Sequence, residues 1–290
     1  MTVQGVSMAR EFNPDTIRIA AFDLDGTVLN QGVMSDAVGN ALHALAARGI
    51  AVTVCTSRDI SQIPPYVLSC FRYRVTANGA NVSDSDGNVI LDRPMDNRTA
   101  LDALKKLHRL KGRSCLYLNG FVLATPGFLL RLLRRTEFLS KTQRDASKAN
   151  TNRNNAIRFR IGRYVKKHRP GVYRIHTVFR NTDEARAACD EMSRSGAYTP
   201  VLLADDSIET TGAGVTKADG LGKLCAFLGC TAENVIAFGD SANDIGMLGL
   251  AGYSVGMGNA EDCVRRMVDH ITDSVAGDGV ATAVKRLFNY

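Results

Sequence analysis

At both ends of the chain, continuous apolar runs alternate with amphipathic stretches, and nothing else in the sequence constrains the fold as strongly. "IRIAAF" (17–22) and "IAVTVCT" (50–56) are apolar almost throughout, as a strand must be when helices cover both of its faces. Between them, "SDAVGNALHALAARG" puts Val38, Ala41, Leu42 and Leu45 on one helical face. Ser35 is placed to cap that helix and Gly49 to end it. After residue 205 the rhythm returns as helix "KADGLGKLCAFLG", strand "NVIAFGD", helix "ANDIGMLGLA", strand "YSVGM", a further helix, strand "HIT" and helix "GVATAVKRLF". This alternation predicts an α/β fold with a Rossmann-like, doubly wound parallel sheet.

The middle of the chain follows a different pattern. "ALDALKKLHRL" and "TDEARAACDEMSRSG" read as helices, and "SCLYLN", "AIRFRI" and "VYRIHTVF" as partly alternating strands. An α+β domain inserted into the α/β domain accounts for both patterns, with core segments at 1–92 and 206–290 and the insert at 93–205. A strand at "AIRFRI" would bury Ile157, Phe159 and Ile161 and turn Arg158 and Arg160 the other way. "SKTQRDASKANTNRNN" has the composition of a mobile loop.

Charge separates the same regions. From Arg93 to Arg194 there are 24 Lys+Arg against 8 Asp+Glu, while the rest of the chain holds 12 basic and 21 acidic residues. A basic insert in an acidic frame fits an anionic small-molecule substrate; nucleic acid is not expected, because no aromatic stacking motif accompanies the basic residues. No apolar run reaches the roughly 18 residues that cross a membrane. The first residues lack the apolar stretch of a secretory signal, so a cytoplasmic location is expected. The seven cysteines, without C-x-x-C spacing, read as reduced thiols, and the five histidines match no metal spacing.

In open α/β sheets ligands gather at the carboxyl ends of the strands. Four segments bring polar residues there: Asp23 and Asp25, Thr56 with Ser57, Lys217, and Asp240 with Asn243 and Asp244. Carboxylates converging on one lysine and one hydroxyl require a further cation, and hard oxygen ligands suit Mg²⁺. Two look-alikes fail. "DSDGN" (84–88) has its glycine at the fourth position and Met95 at the twelfth, which defeats a calcium loop, and "GMGNAED" lacks the third glycine of a dinucleotide motif.

Taken in order, "DLDGT", the Thr56 segment, Lys217 and "GDSAND" resemble the four motifs of the haloacid dehalogenase-like (HAD) hydrolase superfamily. "TANGANV", "GVTKADGL" and "GMGNAED" further resemble its Cof-type, class IIB capped phosphatases. The resemblance implies a Mg²⁺-dependent phosphatase acting on small phosphomonoesters, with a C2B-type cap. By that resemblance Asp23 is the nucleophile that forms an aspartyl-phosphate, and Asp25 is the general acid and base, with Thr56 and Lys217 assisting. Asp23, Asp25, Asp240 and Asp244 would hold the metal, and Leu24, Thr56, Ser57, Lys217 and Asn243 the phosphate. Asn78, and Arg158 and Arg160 of the cap, are candidate substrate contacts. The family's second motif is usually Thr-Gly-Arg and here reads "TSR"; a positive φ at Ser57 would be strained. Two alternatives stay open: a phosphotransferase or mutase with the same aspartyl chemistry, and a nucleic-acid-binding protein on a relict phosphatase core.

Overall fold

The computed structural model describes residues 11–136, 155–203 and 206–289. Its strands, numbered along the chain, form two sheets. The larger contains β1 (Ile19–Phe22), β2 (Ala51–Cys55), β3 (Tyr73–Thr76), β4 (Asn81–Asp84), β5 (Val89–Asp92), β12 (Val235–Gly239), β13 (Tyr253–Gly256) and β14 (His270–Ile271). Their order is β14-β13-β12-β1-β2-β3-β4-β5, parallel from β14 to β3 and closed at one edge by the antiparallel hairpins of β4 and β5. β1 lies between β12 and β2, with Ile19 level with both Val235 and Ala51. The two halves of the chain therefore meet on β1, which makes its carboxyl end the topological switch point.

Helices cover both faces, which is why β1 is apolar without alternation. Ala20 and Phe22 pack with Leu42 and Leu45 of the helix Asp36–Ala47 and with Val280 and Val284 of the helix Gly279–Phe288. Ile19 and Ala21 pack instead with Leu221 and Leu224 of the helix Lys217–Phe227 and with Met247 and Leu248 of the helix Ile245–Leu250. Ser35 caps the first of these helices by accepting from Val38 N at 3.2 Å, and Gly49 leaves it at φ +79°. The calcium-loop look-alike is a hairpin turn, in which Asp84 Oδ1 accepts from the amides of Asp86 and Asn88.

The smaller sheet has the order β10-β11-β9-β6-β7-β8, from β6 (Arg113–Leu118), β7 (Phe121–Ala124), β8 (Asn155–Ile157), β9 (Val172–Val178), β10 (Tyr198–Leu202) and β11 (Ser207–Gly212). Leu116, Leu118, Leu123, Ile175 and Ile208 face a core shared with the helices Asn97–Arg109, Ile161–His168 and Thr182–Arg194. A bulge sets Leu118 opposite Val172 and Tyr117 opposite Arg174. Tyr173 can then join Ala77, Ala80 and Val215 and donate from its hydroxyl to Asp92 Oδ1 at 2.8 Å, tying the small sheet to the large one.

Three expectations change. Ser207–Gly212 pairs with β9 and β10, so the chain returns to the core after Gly212 rather than at residue 206. The strand at "AIRFRI" ends at Ile157, because Phe159 and Arg160 turn into the helix that begins at Ile161. Ile157 and Phe159 are consequently exposed, at 55% and 87%, and only Ile161 is buried. The stretch read as a mobile loop lies outside the described residues, except for Asn155, which opens β8.

Candidate active site

The site begins where β1 stops. Asp23 N still donates to Phe238 O at 2.9 Å, and the chain then coils so that Val28 N and Leu29 N both donate to Leu24 O. Gly26 makes this turn at φ +88°, and a Cβ there would lie 2.3 Å from Asp240 Oδ2. Only glycine combines that backbone with so close an approach. Thr27 Oγ1 donates to Asp240 Oδ1 at 3.2 Å, joining the ends of β1 and β12.

Lys217 reaches the same point from the opposite side. The hairpin between β3 and β4 passes so close to the helix Lys217–Phe227 that a Cβ on Gly79, at φ +91°, would lie 1.9 Å from Thr216 O. Thr216 caps the helix by accepting from Asp219 N at 3.0 Å. The Lys217 side chain is 1% exposed, and its Nζ donates to Asp23 Oδ1 at 2.5 Å and Asp244 Oδ1 at 2.7 Å. Asp244 Oδ2 accepts from the amides of Asp240 and Ser241, both at 3.1 Å. Asp244, fully buried, holds Lys217 and the loop with both its oxygens, while Asp240 is only partly buried.

The electrostatics do not balance. Oxygens of Asp23, Asp240 and Asp244 lie within 4.8 Å of one another with one ammonium between them. Burial and the neighbouring Asp244 raise the Asp23 carboxyl well above its ordinary value, although Lys217 opposes them. The same two causes push Asp240 up to about 7. Burial alone would lower Lys217, but Asp23 and Asp244 outweigh it and hold the ammonium firmly charged. An all-oxygen carboxylate set with surplus negative charge fits a hard divalent cation such as Mg²⁺.

The second motif supplies the hydroxyl and a partner for Asp25. Thr56 is buried, and its Oγ1 accepts from Arg58 N at 3.1 Å, closing a tight turn around Ser57. Ser57 is not among the residues with positive φ, so serine in place of the family's glycine causes no backbone strain. Arg58 is buried, 6% exposed, and grips Asp25 through both oxygens, Nε to Oδ2 at 2.7 Å and Nη2 to Oδ1 at 2.5 Å. The Asp25 side chain is 53% exposed, so the two aspartates of "DLDG" occupy different surroundings.

The remaining candidates divide. Asn243 accepts from Ser241 Oγ at 2.9 Å within the loop that carries Asp240. Asn78 lies in a turn at φ 56°; its N donates to Thr56 O at 3.0 Å, and its Nδ2 to Glu209 Oε2 of β11 at 2.7 Å. It therefore serves both as a hairpin turn and as a contact to the smaller sheet. Arg158 and Arg160 are exposed on the segment after β8, and Arg158 Nη1 donates to Ile157 O at 3.1 Å. They follow an edge strand roughly 14 Å, or three strand spacings, from β9. Arg160 lines a cavity of about 860 Å³ with Leu104, Pro126 and Ile161, on the cap. The arginine that the smaller sheet directs toward Asn78 is Arg174, paired with Glu209.

Sequence reasoning missed Arg58, Asn259, Arg174 and Glu209. Asn259 Nδ2 donates to Gly26 O at 2.9 Å and approaches Asp240 Oδ2 at 3.4 Å, while its Oδ1 accepts from Val275 N at 2.7 Å. Two of the four stood inside quoted motifs, Arg58 in "TSR" and Asn259 in "GMGNAED", and that position was their available signal.

Known proteins share this fold and family. The haloacid dehalogenase-like hydrolase family model matches residues 20–284. A 5-amino-6-(5-phospho-D-ribitylamino)uracil phosphatase of Bacillus subtilis is 26% identical over 272 residues, which is 93% of this chain and 95% of the relative. An HMP-PP phosphatase of Yersinia pseudotuberculosis is 29% identical over 255 residues, 84% of each chain. Among solved structures, a haloacid dehalogenase-like hydrolase from B. subtilis superposes with TM-score 0.82 at 24% identity, over 93% of this chain and 100% of that one. A HAD subclass IIB sugar phosphatase superposes with TM-score 0.77 at 18% identity, over 94% of this chain and 100% of that one. The resemblance read from the four motifs and the capped α/β fold expected from it are both borne out, and the chain belongs to the haloacid dehalogenase-like hydrolases.

Proposed function

We propose that this chain is a Mg²⁺-dependent phosphatase of small phosphomonoesters that works through a phosphorylated Asp23. The observation that carries this reading is the convergence of Asp23, Asp240 and Asp244 on Lys217 at the switch point of the sheet, beside a solvent-facing Asp25. The names of the two relatives, both phosphatases of phosphorylated metabolites, support it.

Asp23 attacks the phosphorus in line; the new O–P bond forms as the bond to the leaving oxygen breaks. Lys217, fixed between Asp23 and Asp244, opposes the burial that raises the nucleophile's carboxyl and places positive charge beside the phosphoryl oxygens. Asp25, which is paired with Arg58 through both oxygens and must let go of at least one to carry a proton, then gives that proton to the leaving oxygen. It then takes a proton from the water that attacks the aspartyl-phosphate, releasing phosphate and restoring Asp23. Thr56 and the amides of Leu24 and Ser57 would hold the phosphoryl group, and Asn243 steadies the Asp240 loop. Mg²⁺ held by Asp23, Asp240 and the Asp25 carbonyl would neutralise the charge of the dianion.

Phosphate release from a panel of phosphorylated metabolites and p-nitrophenyl phosphate, with and without Mg²⁺, tests this reading. Turnover that needs Mg²⁺ and vanishes in Asp23→Asn is expected. Release that persists in Asp23→Asn, or no release from any substrate, would refute it.

A further inference from the structure

Glu209, on the cap face turned toward the core, is shared between the two domains. It pairs with Arg174 within the cap, both side chains being more than nine-tenths buried, and accepts from Asn78 Nδ2 of the core at 2.7 Å. The Arg174 guanidinium carbon also lies 3.7 Å from the centre of the Tyr117 ring, its cross-strand neighbour. Asn78 donates its own N–H to Thr56 O, and the next residue, Gly79, packs on Thr216. The bridge therefore stands beside the two elements that carry Thr56 and Lys217.

Two atoms at this bridge are buried without a partner: Arg174 Nε, a donor, and Asn78 Oδ1, an acceptor. Buried polar groups normally find partners, and a hydroxyl satisfies both kinds because it accepts and donates at once. Charge points the same way. The basic surplus of the insert suggests an anionic group beyond the phosphate, but on this face Glu209 cancels Arg174. A second anionic group arriving here would meet the Glu209 carboxylate and compete with it for Arg174.

We infer that Arg174, Glu209 and Asn78 read the leaving group, selecting an uncharged, hydroxyl-bearing one over one with a second anionic group, and that Glu209 sets this choice. The inference rests on the phosphatase reading above and deepens it.

The test is kcat/KM of wild type and Glu209→Gln for p-nitrophenyl phosphate, a sugar monophosphate and the bisphosphate of the same sugar. Ratios between substrates are read, so that a general loss of activity cancels. Wild type favours the monophosphate over the bisphosphate. In Glu209→Gln the bisphosphate-to-monophosphate ratio rises about tenfold, because Arg174 has lost its counter-charge. The monophosphate-to-p-nitrophenyl ratio falls by a similar factor. Asn78→Ala, which leaves the pair within the cap intact, lowers the second ratio without raising the first; it decides the matter if Glu209→Gln does not fold. Both ratios staying within about twofold of wild type in either folded variant would reduce Glu209 to a structural bridge and overturn the inference. Wild type that releases phosphate from none of the three substrates would instead count against the phosphatase reading, and would remove the inference with it.

Discussion

The core edge and the cap face above it both bury charge, and they do so on different terms. At the core edge Asp23, Asp240 and Asp244 crowd around a single ammonium, Lys217, and the negative surplus raises the Asp23 and Asp240 carboxyls. On the cap face one guanidinium meets one carboxylate, Arg174 with Glu209, and an amide of the core completes the set. The unbalanced cluster suits a further cation and a dianionic phosphoryl group, which is where chemistry is expected. The balanced set suits a neutral, hydrogen-bonding leaving group, which is where selection is expected.

The largest effect follows from removing the one cation of the unbalanced cluster. Lys217→Met leaves Asp23 and Asp244 buried without compensation, and stability in urea is expected to fall by about 3–5 kcal/mol, with loss of turnover. Unchanged stability would mean that the surplus is not felt, and the contrast with the cap would collapse. Gly26→Ala comes next, because it forces a side chain to φ +88° and against Asp240. It is expected to lower kcat by roughly a hundredfold through displacement of Asp240, with an unfolding cost of about 1–3 kcal/mol. Arg58→Ala should act on rate with little effect on stability, since the Asp25 it holds is half exposed. A fall of about ten- to a hundredfold in kcat/KM at nearly constant melting temperature is expected.

The smallest effect sharpens the core side alone. Asp240 has a folded-state value near 7, above the ordinary carboxylate value, so without a cation its contribution to stability is lost as pH rises through that range. Mg²⁺ competes with the proton, so it is expected to raise the melting temperature more at about pH 8 than at about pH 5. Equal Mg²⁺ shifts at the two pH values would show that the raised carboxyl is not the cation's ligand.

Much of the core was legible in the sequence because burial on both faces leaves a strong signal. Runs such as Ile19–Phe22 and Val235–Gly239 have few ways to fold other than between helices. Asp23, Lys217 and Asp240 were legible because each follows a strand or opens a helix at the edge where a parallel sheet gathers its ligands. The cap was less legible. Its strands alternate only in part, and Arg158–Arg160 turn where alternation suggested a strand. The pairing of Asn78 with Glu209 spans 131 residues and exists only because two sheets dock, so no local pattern announces it. Arg58 was hidden for another reason: its pairing with Asp25 depends on how the loops after β1 and β2 face each other, which spacing along the chain does not encode.

The central claim is that Asp23 becomes phosphorylated, and trapping that species tests it most directly. Protein mixed with Mg²⁺ and a labelled phosphomonoester would be quenched in acid within one turnover and digested, and the labelled peptide identified. The account predicts label on the peptide containing Asp23, more of it in Asp25→Asn, where release by water is slowed, and none in Asp23→Asn. Label on another residue, or substrate turned over with no labelled protein at any time in either Asp25→Asn or wild type, would contradict it.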